Sequence, residues 1–185
     1  MIFFKQIGLS LCFIMIFLVA TACSLEESED AMKKVKSTDL SNERIADIKL
    51  GISIIDEKFI TQHGRFEPYP ANNHYASQRN YDQYWNEQII LGVDRETKET
   101  LEVGVLKGND TSSSVKGIKL GGPIDDVISA YGENFYTFKD REQGLFKIGY
   151  VDHQKNLNLV FLHYDGKVTG INFGYTFDIM EWEKQ

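Results

Sequence analysis

Hydrophobic and polar positions follow the same order in two stretches of the chain, residues 47–64 and 117–132. Each stretch opens with Ile-Lys-Leu-Gly, continues with apolar residues that would share one face of a helix, and ends at a glycine. A one-face apolar spacing of this kind is typical of a surface helix packed on a core. The pattern therefore predicts an internal repeat with one short helix in each copy.

The second copy predicts its helix most clearly. Pro123 stands at a first helical position, where its missing N–H costs nothing, and Gly132 is a C-terminal stop. Asp125 and Asp126 fall in the first turn, where the helix dipole favours carboxylates. The apolar residues recur at i, i+3, i+4 and i+7: Ile124, Val127, Ile128 and Tyr131.

The first copy is less regular but carries the same signals. Ser53 and Asp56, three residues apart, predict a capping box. Ile52, Ile55 and Phe59 give the apolar face, and the copy ends at Gly64.

Strand patterns follow each predicted helix. After the second helix, alternating apolar runs are separated by polar turns, and Asp165-Gly166 is a hairpin signal. After the first helix the pattern is clear only from residue 87 onward. The fold class predicted is α+β, with two tandem units that each pack a short helix on an antiparallel sheet of three to four strands. The units span residues 45–106 and 117–185, with a polar linker at 107–116.

The N-terminus has the three parts of a secretory signal. A positive start with Lys5 precedes an apolar run that is shorter than the roughly 20 residues of a membrane-spanning helix. The stretch Val-Ala-Thr-Ala-Cys then resembles a bacterial lipobox, with Ala20 where leucine is most common. We expect residues 1–22 to be a lipoprotein signal peptide and Cys23 to carry a diacylglycerol.

Cysteine usage favours this expectation. Cys12 lies inside the predicted signal, so Cys23 would be the one cysteine left after cleavage, with no partner for an internal disulfide. The alternatives are a plain secretory cut after Ala22 or an uncleaved signal anchor. Residues 23–44 then form the lipidated cysteine and a flexible polar tether, with a short helix near residues 29–36 as the alternative.

At the level of family, the stretch from Leu120-Gly121 to Tyr131-Gly132, with Val127 between, resembles the β-lactamase-inhibitor-protein-like fold. It is also similar to the related small outer-membrane assembly lipoproteins and to uncharacterised lipoproteins of low-GC Gram-positive bacteria. The resemblance covers residues 45–177 and implies helix-backed antiparallel sheets. It carries over no functional residue, because its motif consists of packing positions.

Composition limits the function classes. Hydrophobic residues make up 42% and charged residues 25% of the 185 positions, which is ordinary for a folded domain. The formal net charge is −7, with 27 acidic and 20 basic residues, and this argues against nucleic acid as a partner. No cofactor is expected.

Candidate catalytic and metal-binding residues are weak. The four histidines show no zinc spacing, although His153 and His163 could approach across a hairpin. No nucleophile–base pattern accompanies the linker serines, and the adjacent Asp125 and Asp126 point about 100° apart on a helix. We therefore predict no catalytic, cofactor or metal residues, and no enzyme.

Aromatic density in residues 66–85 favours a recognition surface. Tyrosine and tryptophan give large contact area at low entropy cost, although the same side chains can pack a sheet against its helix. The candidate partner surface consists of Tyr69, Tyr75, Tyr81, Tyr84 and Trp85.

The sequence thus predicts a binding or interaction lipoprotein on the extracytoplasmic face of the cell membrane. Its expected contacts are the membrane, through the lipid on Cys23, and a protein or cell-envelope component. An immunity-type inhibitor of a secreted toxin or hydrolase is the alternative, since acidic charge suits a basic target. A cell-envelope enzyme is the third reading.

Overall fold

A computed structural model describes residues 28–74, 76–106, 108–109, 111–140 and 145–176. The predicted signal peptide and Cys23 lie outside these described residues. The chain divides into two compact units, with the boundary between Lys34 and Val35. In the first unit, residues 28–34 are helical, and two i,i+4 ion pairs join Glu29 to Lys33 and Asp30 to Lys34.

The described residues of the second compact unit form two short α-helices and eight β-strands. Helix α1 spans Glu57–His63 and helix α2 spans Ile124–Tyr131. Two turns of 3₁₀ helix, Asn72–His74 and Ala76–Gln78, lie between the first two strands. The strands are β1 (Glu67–Pro68), β2 (Tyr81–Trp85), β3 (Ile89–Asp94), β4 (Thr100–Val105), β5 (Tyr136–Asp140), β6 (Leu145–Asp152), β7 (Leu157–Tyr164) and β8 (Lys167–Tyr175).

All eight strands belong to one antiparallel sheet, in the order β1-β2-β3-β4-β8-β7-β6-β5. Strands β4 and β8 pair at its centre, with Val103 opposite Phe173 and Val105 opposite Ile171. The α+β class is therefore confirmed, with the described residues mostly in sheet. The strands that follow α1 and those that follow α2 form one continuous sheet.

The core lies between this sheet and the two helices α1 and α2. Phe59 of α1 and Val127 and Tyr131 of α2 pack against alternate strand residues, including the fully buried Leu91 and Phe161. Burial of each such side chain contributes roughly 1.5–3 kcal/mol before the entropy cost of ordering it. The apolar spacing thus marks the core-facing residues of α2. In the first copy only Phe59 faces the core, and the prediction is wrong for Ile52 and Ile55, which precede α1 and are 38% and 68% exposed.

Both Ile-Lys-Leu-Gly stretches dock on the sheet through equivalent hydrogen bonds. Gly51 and Gly121 have φ of +74° and +80°, values that favour glycine, at the end of each stretch. Backbone N–H groups of the two stretches donate to carbonyls of the following hairpins at 2.8 or 2.9 Å: Gly51 to Thr100, Ile54 to Lys98, Gly121 to Val168 and Ile124 to Gly166.

The start of α1 differs from the prediction. Asp56 is the N-cap residue, and its carboxylate accepts from two backbone N–H groups of the first turn. Ser53 lies three residues before it and donates instead to the carbonyl of Thr97, so a capping box led by Ser53 is wrong. Gly64 ends the helix as predicted, with φ of +78°.

The start of α2 also shifts by one position. Pro123 is the N-cap, with extended backbone angles, and the helix begins at the next residue. Its fixed φ of −62° suits this place equally well. Asp125 and Asp126 lie in the first turn and Gly132 follows the helix, as predicted.

Residues 35–44, which the sequence assigns to the tether, are part of the folded unit. Leu40 is only 2% exposed, and its N–H donates to Oδ2 of Asp152 at 3.1 Å. The other carboxylate oxygen of Asp152 accepts from the N–H groups of Gln154 and Lys155. A single buried carboxylate therefore ties this segment to the turn between β6 and β7.

The predicted linker is docked as well. Asn109 and Ser114 are each 3% exposed, and Ser114 pairs with Ile45 as an isolated β-bridge. The side-chain oxygen of Asn109 accepts from the N–H groups of Thr111 and Ser112, which fixes the turn. The segment is polar in composition yet ordered, because its hydrogen bonds are satisfied within the fold.

Candidate functional site on the open face of the sheet

The side chains that alternate with the core residues form a second face of the sheet, here named the open face. Residues that pair between neighbouring strands form two rows across this face. The first row is Gln83, Gly92, Glu102, Gly174, Asn158 and Val151. The second row is Trp85, Ile90, Gly104, Asn172, Val160, Gly149 and Tyr136.

Glycines inside the strands let neighbouring side chains lie flat on this face. The ring of Tyr136 covers Gly149, where an added Cβ would lie 2.2 Å from the ring Cζ. The Tyr136 hydroxyl donates to Oδ1 of Asn158 at 3.1 Å, and burial raises its pKa to about 12. Ile90 covers Gly104 in the same way, with Cγ2 2.9 Å from the position of an added Cβ. Neighbouring side chains therefore cover the glycines of this face, and at its β5–β6 end Tyr136 and Val151 are only 6% and 0% exposed.

A polar pair occupies the centre of the open face. Nδ2 of Asn172 on β8 donates to Oε1 of Glu102 on β4 at 2.6 Å. Gly92 and Gly174 flank the glutamate, and an added Cβ at either would approach its Cβ to 3.1 or 3.3 Å. Desolvation raises the pKa of Glu102, while Asn172 and the positive charge of Arg79 act in the opposite direction. This carboxyl group can accept or, when protonated, donate a hydrogen bond to a bound partner.

Arg79 anchors the loop between β1 and β2 beside this pair. It is 5% exposed, and its Nη2 donates to the carbonyl and side-chain oxygens of Asn72 at 2.6 and 2.8 Å. The same Asn72 side chain accepts from the N–H of Gln83 at 2.7 Å. The guanidinium lies 5.2 Å from the ring centroid of Tyr81, and Nε has no hydrogen-bond partner among the described residues. The arginine therefore holds the loop between β1 and β2 in place.

The predicted aromatic surface divides between the two faces. Tyr84 packs against the core on the helix side, and Tyr81 is only 3% exposed. Tyr69 and Trp85 remain half-buried and make an edge-to-face contact, with centroids 5.5 Å apart and planes at 83°. Tyr75 lies outside the described residues. Of the predicted set, Tyr69 and Trp85 thus form the accessible aromatic corner of the open face.

Three further residues of this face escaped the sequence-based prediction: Glu102, Asn172 and Tyr164. Tyr164 ends β7 and is 62% exposed, the most accessible aromatic side chain among the large apolar residues of the described structure. The signal that could have found the face is glycine inside strand patterns, since it marks a close approach of another group. The pairing of β4 with β8, which brings Glu102 to Asn172, has no local signal.

His153 and His163 lie far apart in the described structure. His153 lies in the turn before β7, where its Nε2 is 2.8 Å from the carbonyl oxygen of Val35, whereas His163 lies near the other end of that strand. Six residues of strand, about 20 Å, separate the two ends, so these two histidines do not approach each other across a hairpin. Desolvation lowers the pKa of His163 and of His63. Within the described residues, no group of three His, Cys, Asp or Glu side chains is arranged to hold a metal ion.

A polar cleft of about 390 Å³ lies where the docked linker meets the segment before α1. Arg44 and Asp47 form an exposed ion pair at its edge, with Nε 3.0 Å from Oδ1. Hydroxyl groups of residues 111–114 line the other side. The hydroxyl oxygen of Ser112 accepts from Nδ2 of Asn109, and that of Ser114 accepts from the N–H of Ile118, so these hydroxyl groups take part in the packing of the linker.

Comparison with protein-family models, curated proteins and solved structures finds no match for this chain. Among the described residues, no helix is long and apolar enough to cross a membrane.

Proposed function

We propose that this protein is a lipoprotein, anchored through lipid on Cys23 to the extracytoplasmic face of the cell membrane, that binds a protein or envelope component through its open face. The pattern of residues 1–23 supports the anchor. Two acyl chains anchor stably where one is marginal, so a diacylglycerol would hold the domain at the surface.

The observation that carries the binding role is the open face itself. It crosses the sheet, neighbouring side chains cover its glycines, and it presents accessible aromatic side chains at Tyr69, Trp85 and Tyr164. Helices α1 and α2 contribute their buried residues to the core on the other face. Aromatic anchors around a central polar group are typical of protein-binding surfaces, where the aromatics supply energy and the polar pair supplies specificity.

We further propose that the chain is a tandem of two units, residues 45–106 and 117–185, joined through β4 and β8. The sheet order supports this, because each half reads as four consecutive strands ending at the central pair. The matching hydrogen bonds of Gly51 and Gly121 support it independently. Joining the last strands removes one exposed edge from each half, and such edges favour aggregation. This arrangement is what the resemblance to the β-lactamase-inhibitor-protein-like fold implies.

An immunity-type inhibitor is the second candidate, and the net charge of −7 favours it. Complementary charge accelerates association with a basic toxin or hydrolase. Such an inhibitor would use the same open face, so the two candidates differ in the partner and not in the surface. The proposal includes no catalytic activity.

The anchor is tested by expressing wild-type chain and Cys23→Ser in a bacterial host and separating membrane from soluble fractions. We expect acylated Cys23 at the mature N-terminus by mass spectrometry, and release of the Cys23→Ser variant from the membrane. Retention of that variant at the membrane would contradict the anchor.

The binding role is tested by recovery of partners from envelope extracts on immobilised full chain. The double variant Trp85→Ala, Tyr164→Ala should lose the recovered partner, and Ile55→Ala, which changes a 68% exposed side chain beside α1, should keep it. Equal recovery by all three chains would place binding elsewhere. Turnover of a wall fragment by the purified chain would support the enzyme reading instead.

A further inference from the structure

A groove of about 500 Å³ lies on the helix side of the sheet, between α2 and the strands β5 and β6. Ile124 and Ile128 of α2 form one wall, and both are only partly buried. The remaining lining residues come from the sheet: Thr137, Phe138, Lys139, Phe146, Lys147, Ile148 and His163. Its volume is within the range of small-molecule sites, and its lining is largely apolar.

A cross-strand ladder of three side chains runs along this groove. Lys139 pairs with Phe146, and Phe146 pairs with His163, so the three share one face of β5, β6 and β7. Nζ of Lys139 lies 4.8 Å from the Phe146 ring centroid, and the rings of Phe146 and His163 lie 5.4 Å apart at 30°. The apolar groove therefore has a cationic group at one end and an imidazole at the other.

The charge of the lining is opposite to that of the chain. It contains two lysines and a histidine and no carboxylate among the described residues, whereas the whole chain carries −7. Asp125 and Asp126 in the first turn of α2 are exposed and do not line it. Lys147 alternates with Phe146 along β6 and also lines the groove, and its ammonium lies 5.2 Å from the ring centroid of Phe138.

We propose that this groove binds a free, single-chain anionic amphiphile, whose apolar body lies along Ile124, Ile128 and Phe146 and whose carboxylate or sulfonate contacts Lys139. The exposed ammonium of Lys139 lies beside this apolar floor, so an anionic group on the ligand gains a charge contact that the floor alone does not give. An uncharged apolar molecule would contact the apolar residues of the groove but would not gain the charge contact with Lys139. The groove should therefore bind the anionic molecule more tightly. The site lies on the face opposite the open face and is independent of the proposed function.

The experiment uses the full chain and the fluorescent probe 1-anilinonaphthalene-8-sulfonate, an apolar body with one sulfonate. N-phenyl-1-naphthylamine, which has nearly the same body without charge, is the comparison probe. We expect the anionic probe to bind with enhanced emission and to be displaced by dodecanoate below its micelle concentration. If phosphatidylglycerol vesicles displaced the probe and dodecanoate did not, the ligand would be a membrane surface rather than a free amphiphile, and the proposal would be overturned.

Lys139→Glu and Lys155→Glu form a matched pair, because both reverse the charge of an exposed lysine and only Lys139 lines the groove. Lys139→Glu should weaken binding of the anionic probe by roughly tenfold, as expected for one close charge contact. Binding of the uncharged probe should not change. Lys155→Glu should leave the binding of both probes unchanged. If both variants weakened binding of the anionic probe equally, the effect would come from the general surface charge and not from a contact with Lys139, and the assignment would be overturned.

A second variant tests the position of the apolar body. Thr137 is exposed in the lining, so Thr137→Trp should fill the groove without disturbing the core and abolish binding of both probes. Thr61→Trp, on the exposed side of α1, is the control and should leave binding intact. Far-UV circular dichroism confirms that each variant is folded. Unchanged binding in folded Thr137→Trp would show that the probes bind elsewhere.

Discussion

The hydroxyl of Tyr131 donates a 2.6 Å hydrogen bond to Oε2 of Glu43, 88 residues earlier in the chain. Oε1 of the same glutamate accepts from the N–H of Val115 at 2.8 Å. Glu43 is 8% exposed and Tyr131 is 7% exposed. Burial, and then the hydrogen bond to Glu43, raise the pKa of Tyr131. One buried carboxylate thus joins the segment before α1, the docked linker and the last turn of α2.

Removing this contact should destabilise the fold. Tyr131→Phe should lower the free energy of unfolding by about 1–2 kcal/mol, since it leaves a buried carboxylate oxygen without its donor. Glu43→Ala should cost about 2–3 kcal/mol, because the hydroxyl and the Val115 N–H both lose their acceptor. Urea unfolding measures both values. Tyr164→Phe, at a 62% exposed position, is the control, and a Tyr131→Phe midpoint equal to that of the control would refute the role of Glu43.

Asp152 should decide whether residues 35–44 stay docked. Asp152→Ala removes the acceptor for three backbone N–H groups, so we expect a loss of about 2–3 kcal/mol and faster tryptic cleavage after Lys36. Limited proteolysis followed by mass spectrometry detects the cleavage. Asp39→Ala serves as the control, because its carboxylate caps only the nearby exposed Ser41. Equal cleavage rates in the two variants would mean that the segment is held by other contacts.

Glu102 should make the stability of the fold fall as pH rises. Its pKa is raised in the folded chain, so between the unfolded and folded pKa values the folded chain holds more protons and stability decreases with pH. Glu102→Gln keeps an acceptor for Asn172 and removes the charge. We expect this variant to be more stable than wild type by on the order of 1 kcal/mol at pH 8, with the difference vanishing toward pH 4. A variant less stable than wild type at pH 8 would instead make the ionised carboxylate a stabilising partner of Arg79.

Gly149 should tolerate no side chain while Tyr136 covers it. An added Cβ would lie 2.2 Å from the ring, so Gly149→Ala should cost about 1–3 kcal/mol through forced displacement of the tyrosine. The double variant Gly149→Ala, Tyr136→Ala relieves the clash, so its stability should equal that of Tyr136→Ala alone within about 0.5 kcal/mol. Thermal unfolding of the four chains closes the cycle. A full, additive penalty in the double variant would exclude the ring as the cause.

Local signals in the sequence predicted the second half of the sheet well. The run 157–164 is β7, and Asp165-Gly166 is the turn after it, with φ of +48° and +70°. This pair of angles is what an Asp-Gly hairpin requires. The first half of the sheet was harder to predict. Strand β1 has only two residues, and the loop before β2 is held by the hydrogen bonds between Arg79 and Asn72, which leave no apolar pattern in the sequence.

The docking of residues 35–44 and of the linker had no local signal. Both segments are polar, and polar composition predicts a tether or linker. They are ordered because the buried carboxylates of Glu43 and Asp152 accept from backbone groups 72 and 112 residues away in the chain. The residues of the candidate site also differ in whether local sequence could predict them. Trp85 and Tyr69 were predicted from local aromatic density, whereas the contact between Glu102 and Asn172 depends on a long-range strand pairing.

Site-specific photo-crosslinking in cells tests the open face most directly. A benzoylphenylalanine residue replaces Trp85, Tyr164 or, as the control near α1, Ile55, in the full chain with its N-terminus intact. The proposal predicts that Trp85 and Tyr164 give the same cross-linked partner and that Ile55 does not. An identical adduct from Ile55, or none from either open-face position alongside a strong adduct from Ile55, would contradict the assignment of this face as the binding surface.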